Sequence, residues 1–374
     1  MIPALLFMAC VSYADEPLAQ PKVFAMPDAF KTLVNPECSH CLDEAKRRAH
    51  ELKPDDRVLA WTRGYSEGGA IPIRFFLNTY RVISDSYGVF VYDPDAGYAR
   101  GFAPSYEFRF HGWRNGVMVM RHQDGTLYSC LTGVAFDGPR KGTRLTPAPT
   151  LVSDWGFWME KYPGAVAYHM FDKYQPIDIS THENQDAVKS RGPLDPRLRA
   201  NEMVLGVWSG VAARAYAVRI LEKEGIIKDT IAGVPLVALW EPRTRTAAAY
   251  RPIAVPPRKY KAPQPGKNGV SPPDEGVPLV DGPVPKSRAL TLSLSKAPTS
   301  ARFVDAETNS AWDVAGRCVQ GELKGWTLEW ADGVQVKWHA WSAEYPQTTL
   351  YAREKPSTDA KKAVKEVAGT AEFL

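Results

Sequence analysis

The sequence predicts a β-dominated α+β fold built by internal duplication of a strand-rich unit with one short Trp-containing helix per copy. Three observations predict it. First, residues 133–168 align without a gap on residues 316–351. Gly133, Gly138, Gly142, Leu145, Trp155, Trp158, Tyr162, Pro163 and Tyr168 fall opposite Gly316, Gly321, Gly325, Leu328, Trp338, Trp341, Tyr345, Pro346 and Tyr351. Glycines at fixed spacing keep turns and aromatics keep packing positions, so a register of both marks a repeated structural unit. Second, the chain alternates short β-branched and aromatic runs with turn residues, and holds 31 Pro and 28 Gly, a pattern of many strands rather than long helices. Third, the order of runs after residue 200 repeats the order after residue 57.

Taken in order, residues 1–14 read as a secretory signal peptide. Met1 to Val11 is apolar but too short to span a membrane as a helix. Ser12-Tyr13-Ala14 supplies the small residues of a cleavage site. The basic region that usually precedes such a run is absent. A lipid anchor through Cys10 is the second reading, against a poor lipobox. Residues 15–56 form an N-terminal arm: a loose Pro-containing stretch to residue 36, then Cys38-Ser39-His40-Cys41 opening a helix-forming run to Leu52.

Strands are expected at Val58–Trp61, Ile71–Phe75, Val89–Tyr92 and Val117–Met120. Turns are expected at Asp93–Gly97 and Gln123–Thr126. A helix is expected from Ser153 to Glu160, stopped by Tyr162-Pro163. These make repeat 1, residues 57–170, followed by a connector at 171–202. Repeat 2 spans 203–352. Met203–Trp208 matches Val58–Trp61, Ala217–Leu221 matches Ile73–Leu77, and Ile226–Thr230 matches Val82–Ser86. A Pro-rich insert at 252–286 reads as extended loop. The tail, 353–374, is rich in Lys, Ala and Glu.

Ala215–Leu221 (AYAVRIL), Ile227–Val237 (IKDTIAGVPLV), Val119–Leu145 and the Trp-containing helix ending at Tyr162-Pro163 resemble domain-of-unknown-function family 3179, in two tandem copies. Members of that family often carry a His before the Asp of an Asn-Asp pair and a Cys-Pro-x-Cys segment after the next strand. Here Glu224 and Tyr80 stand at the His position. Trp240-Glu241-Pro242 and Tyr92-Asp93-Pro94 stand at the Cys positions. The resemblance therefore implies no retained His/Cys site.

The net charge of +4, from 46 basic and 42 acidic residues, lacks the clustered basic face of a nucleic-acid binder. No run after the signal is apolar enough to be transmembrane. No P-loop, GxGxxG after a strand, GxSxG elbow or HExxH is present. The sharpest chemical signal is Cys38-Ser39-His40-Cys41. In an oxidising compartment the preferred reading is a Cys38–Cys41 disulfide. A metal site for zinc or copper from Cys38, His40, Cys41 and His50, and a redox pair with a depressed thiol pKa, stand behind it. No cofactor is expected otherwise. His111, Cys130 and His169 occur in the first copy alone and form a second set of pocket candidates, weighed against three unrelated residues. Asp85 and Asp229 read as turn or capping carboxylates. Cys130 and Cys318 read as buried thiols. The function these features point to is an exported, periplasmic or extracellular binding or structural module with a ligand or envelope partner. The alternative is an exported metal- or thiol-dependent enzyme using the Cys38–Cys41 segment.

Overall fold

The computed structural model describes residues 22–34, 52–63, 67–78, 80–84, 87–162, 166–167, 184–257, 285–296 and 301–352. The signal segment with Cys10, the Cys38–Cys41 segment with His50, Asp85, His169 and the tail lie outside these residues. Strands dominate the described residues and the helices are short, as the composition predicts.

The first half contains three sheets. One has the strand order 150–154, 57–63, 67–72, 166–167. Its central strand, Arg57–Arg63, carries the run Val58-Leu59-Ala60-Trp61, buried throughout. A strand covered on both faces needs such an unbroken apolar run rather than alternation. Gly69 pairs with Trp61, and a Cβ on it would sit 1.9 Å from the indole. Glycine there lets the Trp61 ring lie across its neighbour. The second sheet has the order 147–148, 98–102, 89–93, 80–84, 31–34, and the third 24–25, 108–114, 117–122, 127–129, 135–137.

The second half contains a four-stranded sheet of order 332–337, 203–208, 213–217, 349–350. In this sheet, as in the sheet of 57–63, the short last strand is parallel to its neighbour. The other two sheets run 226–231, 234–241, 246–255, 288–289, with 327–330 also pairing on 246–255, and 292–294, 303–305, 311–312, 318–320.

Helices Trp155–Lys161 and Trp338–Glu344 each follow directly on a strand and end the same way. Tyr162 and Tyr345 have φ/ψ of −128°/74° and −126°/73°, and their N–H groups bond to Trp158 O and Trp341 O. The following proline disfavours α geometry at each tyrosine and stops the helix. Trp158 and Trp341 are both 1% exposed.

The halves pack reciprocally. Trp338, Trp341, Val334 and Val204 of the second half share one core with Val91, Tyr98, Met118 and Cys130 of the first. Phe157, with Leu151 against it, enters the core made by Leu239, Tyr250, Phe303 and Trp312. Turns cross as well. Lys337 N–H donates to Ala96 O at 2.9 Å, and Thr246 Oγ1 to Val152 O at 2.7 Å.

Three local expectations change. Ile73–Asn78 is a helix, not the end of a strand. Ile73 and Phe76 are buried three residues apart, the spacing of one helix face. Strand 150–154 runs through Ser153 and Asp154, so the next helix starts at Trp155. The stretch read as loose arm supplies two strands: Phe24–Ala25 pairs with residues 112–113, and Lys31–Val34 runs parallel to 80–84.

Candidate functional site

The hairpin of strands Phe108–Arg114 and Val117–His122 builds one wall of an open groove of about 820 Å³. Alternation along the first strand buries Phe108 and Phe110 and exposes Arg109. A register shift between Phe110 and Gly112 then turns half-buried His111 to the groove. The other wall comes from residues 27–33, including Phe30 and Lys31. It is held by Phe110 N–H donating to Thr32 Oγ1 at 2.7 Å and by edge contacts of Phe30 with Phe110 and Trp113.

Arg109 and Arg121 are directly opposite each other across the hairpin, and both are exposed. Burial, then the Arg121 charge, push the His111 pKa down. His122 is buried at the groove edge, with Nε2 on Glu107 and Nδ1 at 2.9 Å from Asp124. Gln123 Nε2 donates to the other Glu107 oxygen. The Asp124 carboxylate accepts the Thr126 N–H at 2.9 Å, which holds its pKa below the usual range.

A second group of polar side chains is enclosed between the halves. Asp93 accepts the N–H groups of Asp95, Ala96 and Met118 at 3.0–3.1 Å. Full burial, then Asp95, push its pKa up to about 6 despite those bonds. Burial and then Asp93 push the Cys130 thiol well above its usual range, and the same two causes act on Tyr98. Arg114 pairs with Glu344 at 3.1 Å across the interface. A thiol held protonated in an apolar core is a poor nucleophile.

His111 therefore lines the groove while Cys130 is fully enclosed in the core. Cys38, His40, Cys41, His50 and His169 lie outside the described residues. Cys130 and Cys318 are free buried thiols, as read from the sequence, and the Cys318 pKa is pushed up to about 11 by burial. Asp229 is not a turn carboxylate. It lies in strand Ile226–Ile231 and is bound by Arg214 Nη1 at 2.7 Å and Tyr216 OH at 2.8 Å. Among the described residues no group of three or more His, Cys, Asp or Glu is placed to hold a metal ion, and no helix is long and apolar enough to cross a membrane. Arg109 and Arg121 are not among the residues that sequence motifs single out, and Asp93 stands out there only as a turn residue and at a Cys position of the family. The alternation in Phe108-Arg109-Phe110 marks Arg109 as outward, and the run Val89–Asp93 marks Asp93 as an acid closing an apolar strand.

The fold and groove define a β-dominated α+β protein with a solvent-open, polar-lined cleft. The family model for DUF3179, a protein family of unknown function, matches residues 92–348 in a single stretch. That is more than half of the chain, and the chain belongs to this family. No curated protein and no solved structure matches it.

Proposed function

We propose that this protein is an exported binding module of the cell envelope, made by internal duplication, and that the groove between residues 27–33 and 106–123 is its ligand site. The groove carries the reading. It is open to solvent, large enough for a small organic ligand, and lined by aromatic and charged groups of the kind that orient one. The most nucleophile-like side chain nearby, Cys130, is buried and suppressed, which favours binding over thiol chemistry in this half.

The duplication is supported by the ungapped register, by the matching strand orders of the sheets centred on 57–63 and 203–208, and by φ of 70–88° at Gly133, Gly138 and Gly142 against 74–100° at Gly316, Gly321 and Gly325. Export is supported by the apolar start and Ser12-Tyr13-Ala14. Under this reading the mature protein from its own cells begins at Asp15, and N-terminal mass analysis finding an intact Met1 refutes export by cleavage. The ligand site is tested by ¹H–¹⁵N spectra against a mixed library of charged and neutral fragments. Binders should perturb the amides of Lys31–Val34 and Phe108–Gln123, and His111→Trp should remove those shifts. A library that leaves these amides unmoved contradicts the reading.

A further inference from the structure

We propose that the groove is an oxyanion site, and that its ligand carries a carboxylate, phosphate or sulfate group seated between Arg109 and Arg121. This rests on the groove being the ligand site and names the ligand's chemistry.

The starting point is the register. Arg109 and Arg121 occupy paired positions on adjacent antiparallel strands, where like charges destabilise a sheet. Several other arginines of the chain meet an acid: Arg57 with Asp154, Arg100 and Arg144 with Asp332, Arg214 with Asp229. Among the described residues neither Arg109 nor Arg121 has such an acid. Arg109 donates to the carbonyls of Tyr106 and Phe108 at 3.0 and 2.9 Å. The neighbouring carboxylate, Glu107, is committed to His122 and Gln123. Lys31 lines the same groove from the other wall, and Asp28 and Glu107 are the acids among its lining residues.

The fold does not require this pair. Counting back from Gly133 and Gly316, Arg121 and Val304 lie at the same offset. Val304 pairs with Ser293 as Arg121 pairs with Arg109. The second half thus builds the same hairpin position from Ser and Val, without any cation. Repulsion that serves no packing need is offset when an anion enters. Guanidinium forks match the planar oxygens of carboxylate, phosphate and sulfate, and two of them enclose one such group. Burial and the Arg121 charge disfavour protonation of His111, and its ring places hydrogen-bonding nitrogens in the groove beside the two cations. Phe30 and exposed Tyr106 flank the seat with apolar surface for the rest of the ligand.

Citrate, phosphate and sulfate, each titrated at constant ionic strength against chloride, supply the test. Citrate, phosphate or sulfate should raise the melting temperature saturably and shift the amides of Phe108–His122, and their ranking identifies the preferred group. R109Q/R121Q should weaken half-saturation about tenfold or more, the loss expected for two charge-assisted contacts. The same variant, free of added anion at low salt, should melt higher than the wild type, because the repulsion is gone. Oxyanions that shift only amides outside the groove, or an unchanged response in R109Q/R121Q, overturn the proposal. Neutral fragments that shift groove amides where no oxyanion does leave the ligand site standing and overturn its anionic chemistry. A groove silent to both overturns the two together.

Discussion

The hairpin before Gly133 and the hairpin before Gly316 lie at the same sequence offset from their glycines and use their polar residues differently. In the second, Asp305 turns inward. It accepts from Trp312 Nε1 at 2.9 Å, Thr308 N–H at 2.6 Å and Ser310 N–H at 3.2 Å. In the first, the residue at that offset is His122, which ties down Glu107 and leaves Arg109, Arg121 and His111 facing a groove. One hairpin satisfies itself and the other presents groups to solvent. Packing alone accounts for the second. The first carries charge that packing does not use, which is why the functional reading falls on that half.

The tryptophans of the two helices sharpen this contrast most. Both are 1% exposed, and Trp→Ala at either should cost about 3–5 kcal/mol in urea unfolding. They are not equal. Trp341 Nε1 donates to Thr348 Oγ1 at 2.9 Å, whereas Trp158 Nε1 is buried without a partner among the described residues. The sequence counterpart of Thr348 is Ala165. Thr348→Val should therefore cost about 1 kcal/mol, the worth of one buried hydrogen bond. Changes below that at all three positions would contradict the packing described.

Asp93 gives the next largest effect, and its sign is opposite to that of a salt-bridged aspartate. Its pKa is raised in the fold from 3.8 to about 6. Near pH 3 it is protonated folded and unfolded, and burial costs nothing through ionisation. As pH rises from about 4 to 6, the unfolded chain ionises first and the fold loses stability. A shift of two units corresponds to about 3 kcal/mol. Asp93→Asn loses the acceptor for Met118 N–H at every pH, a constant offset. The stability of wild type minus that of Asp93→Asn should then fall by about 2–3 kcal/mol between pH 4 and 7. A flat difference would show that Asp93 is solvated.

A smaller, kinetic comparison concerns the thiols. Cys130 and Cys318 lie in different halves, and burial raises the pKa of both. Alkylation with iodoacetamide should be slow at both sites in the folded protein and fast in urea. Rapid native labelling of Cys130 alone would return thiol chemistry to the first half.

The sequence was readable where one residue type dictates its surroundings. Gly133 and Gly316 have positive φ, and a Cβ would strike Phe102 at 2.6 Å in one half and Tyr250 at 2.5 Å in the other. The apolar runs at 58–61 and 203–208 became central strands. Features that depend on a distant partner were not readable. Strand Lys31–Val34 exists because residues 80–84 offer it an edge. The groove exists because that strand stands opposite the 108–122 hairpin. The facing of Arg109 and Arg121 needs the pairing register, which a shift between Phe110 and Gly112 alters and no periodicity announces.

The most direct measurement is an anomalous difference map from crystals soaked in sodium selenate, a tetrahedral oxyanion visible by its selenium. A peak between the Arg109 and Arg121 guanidinium groups, with none at Ser293 and Val304, is the predicted result. An empty groove beside selenate bound elsewhere, or equal peaks at both hairpins, would contradict the assignment of ligand binding to the first half.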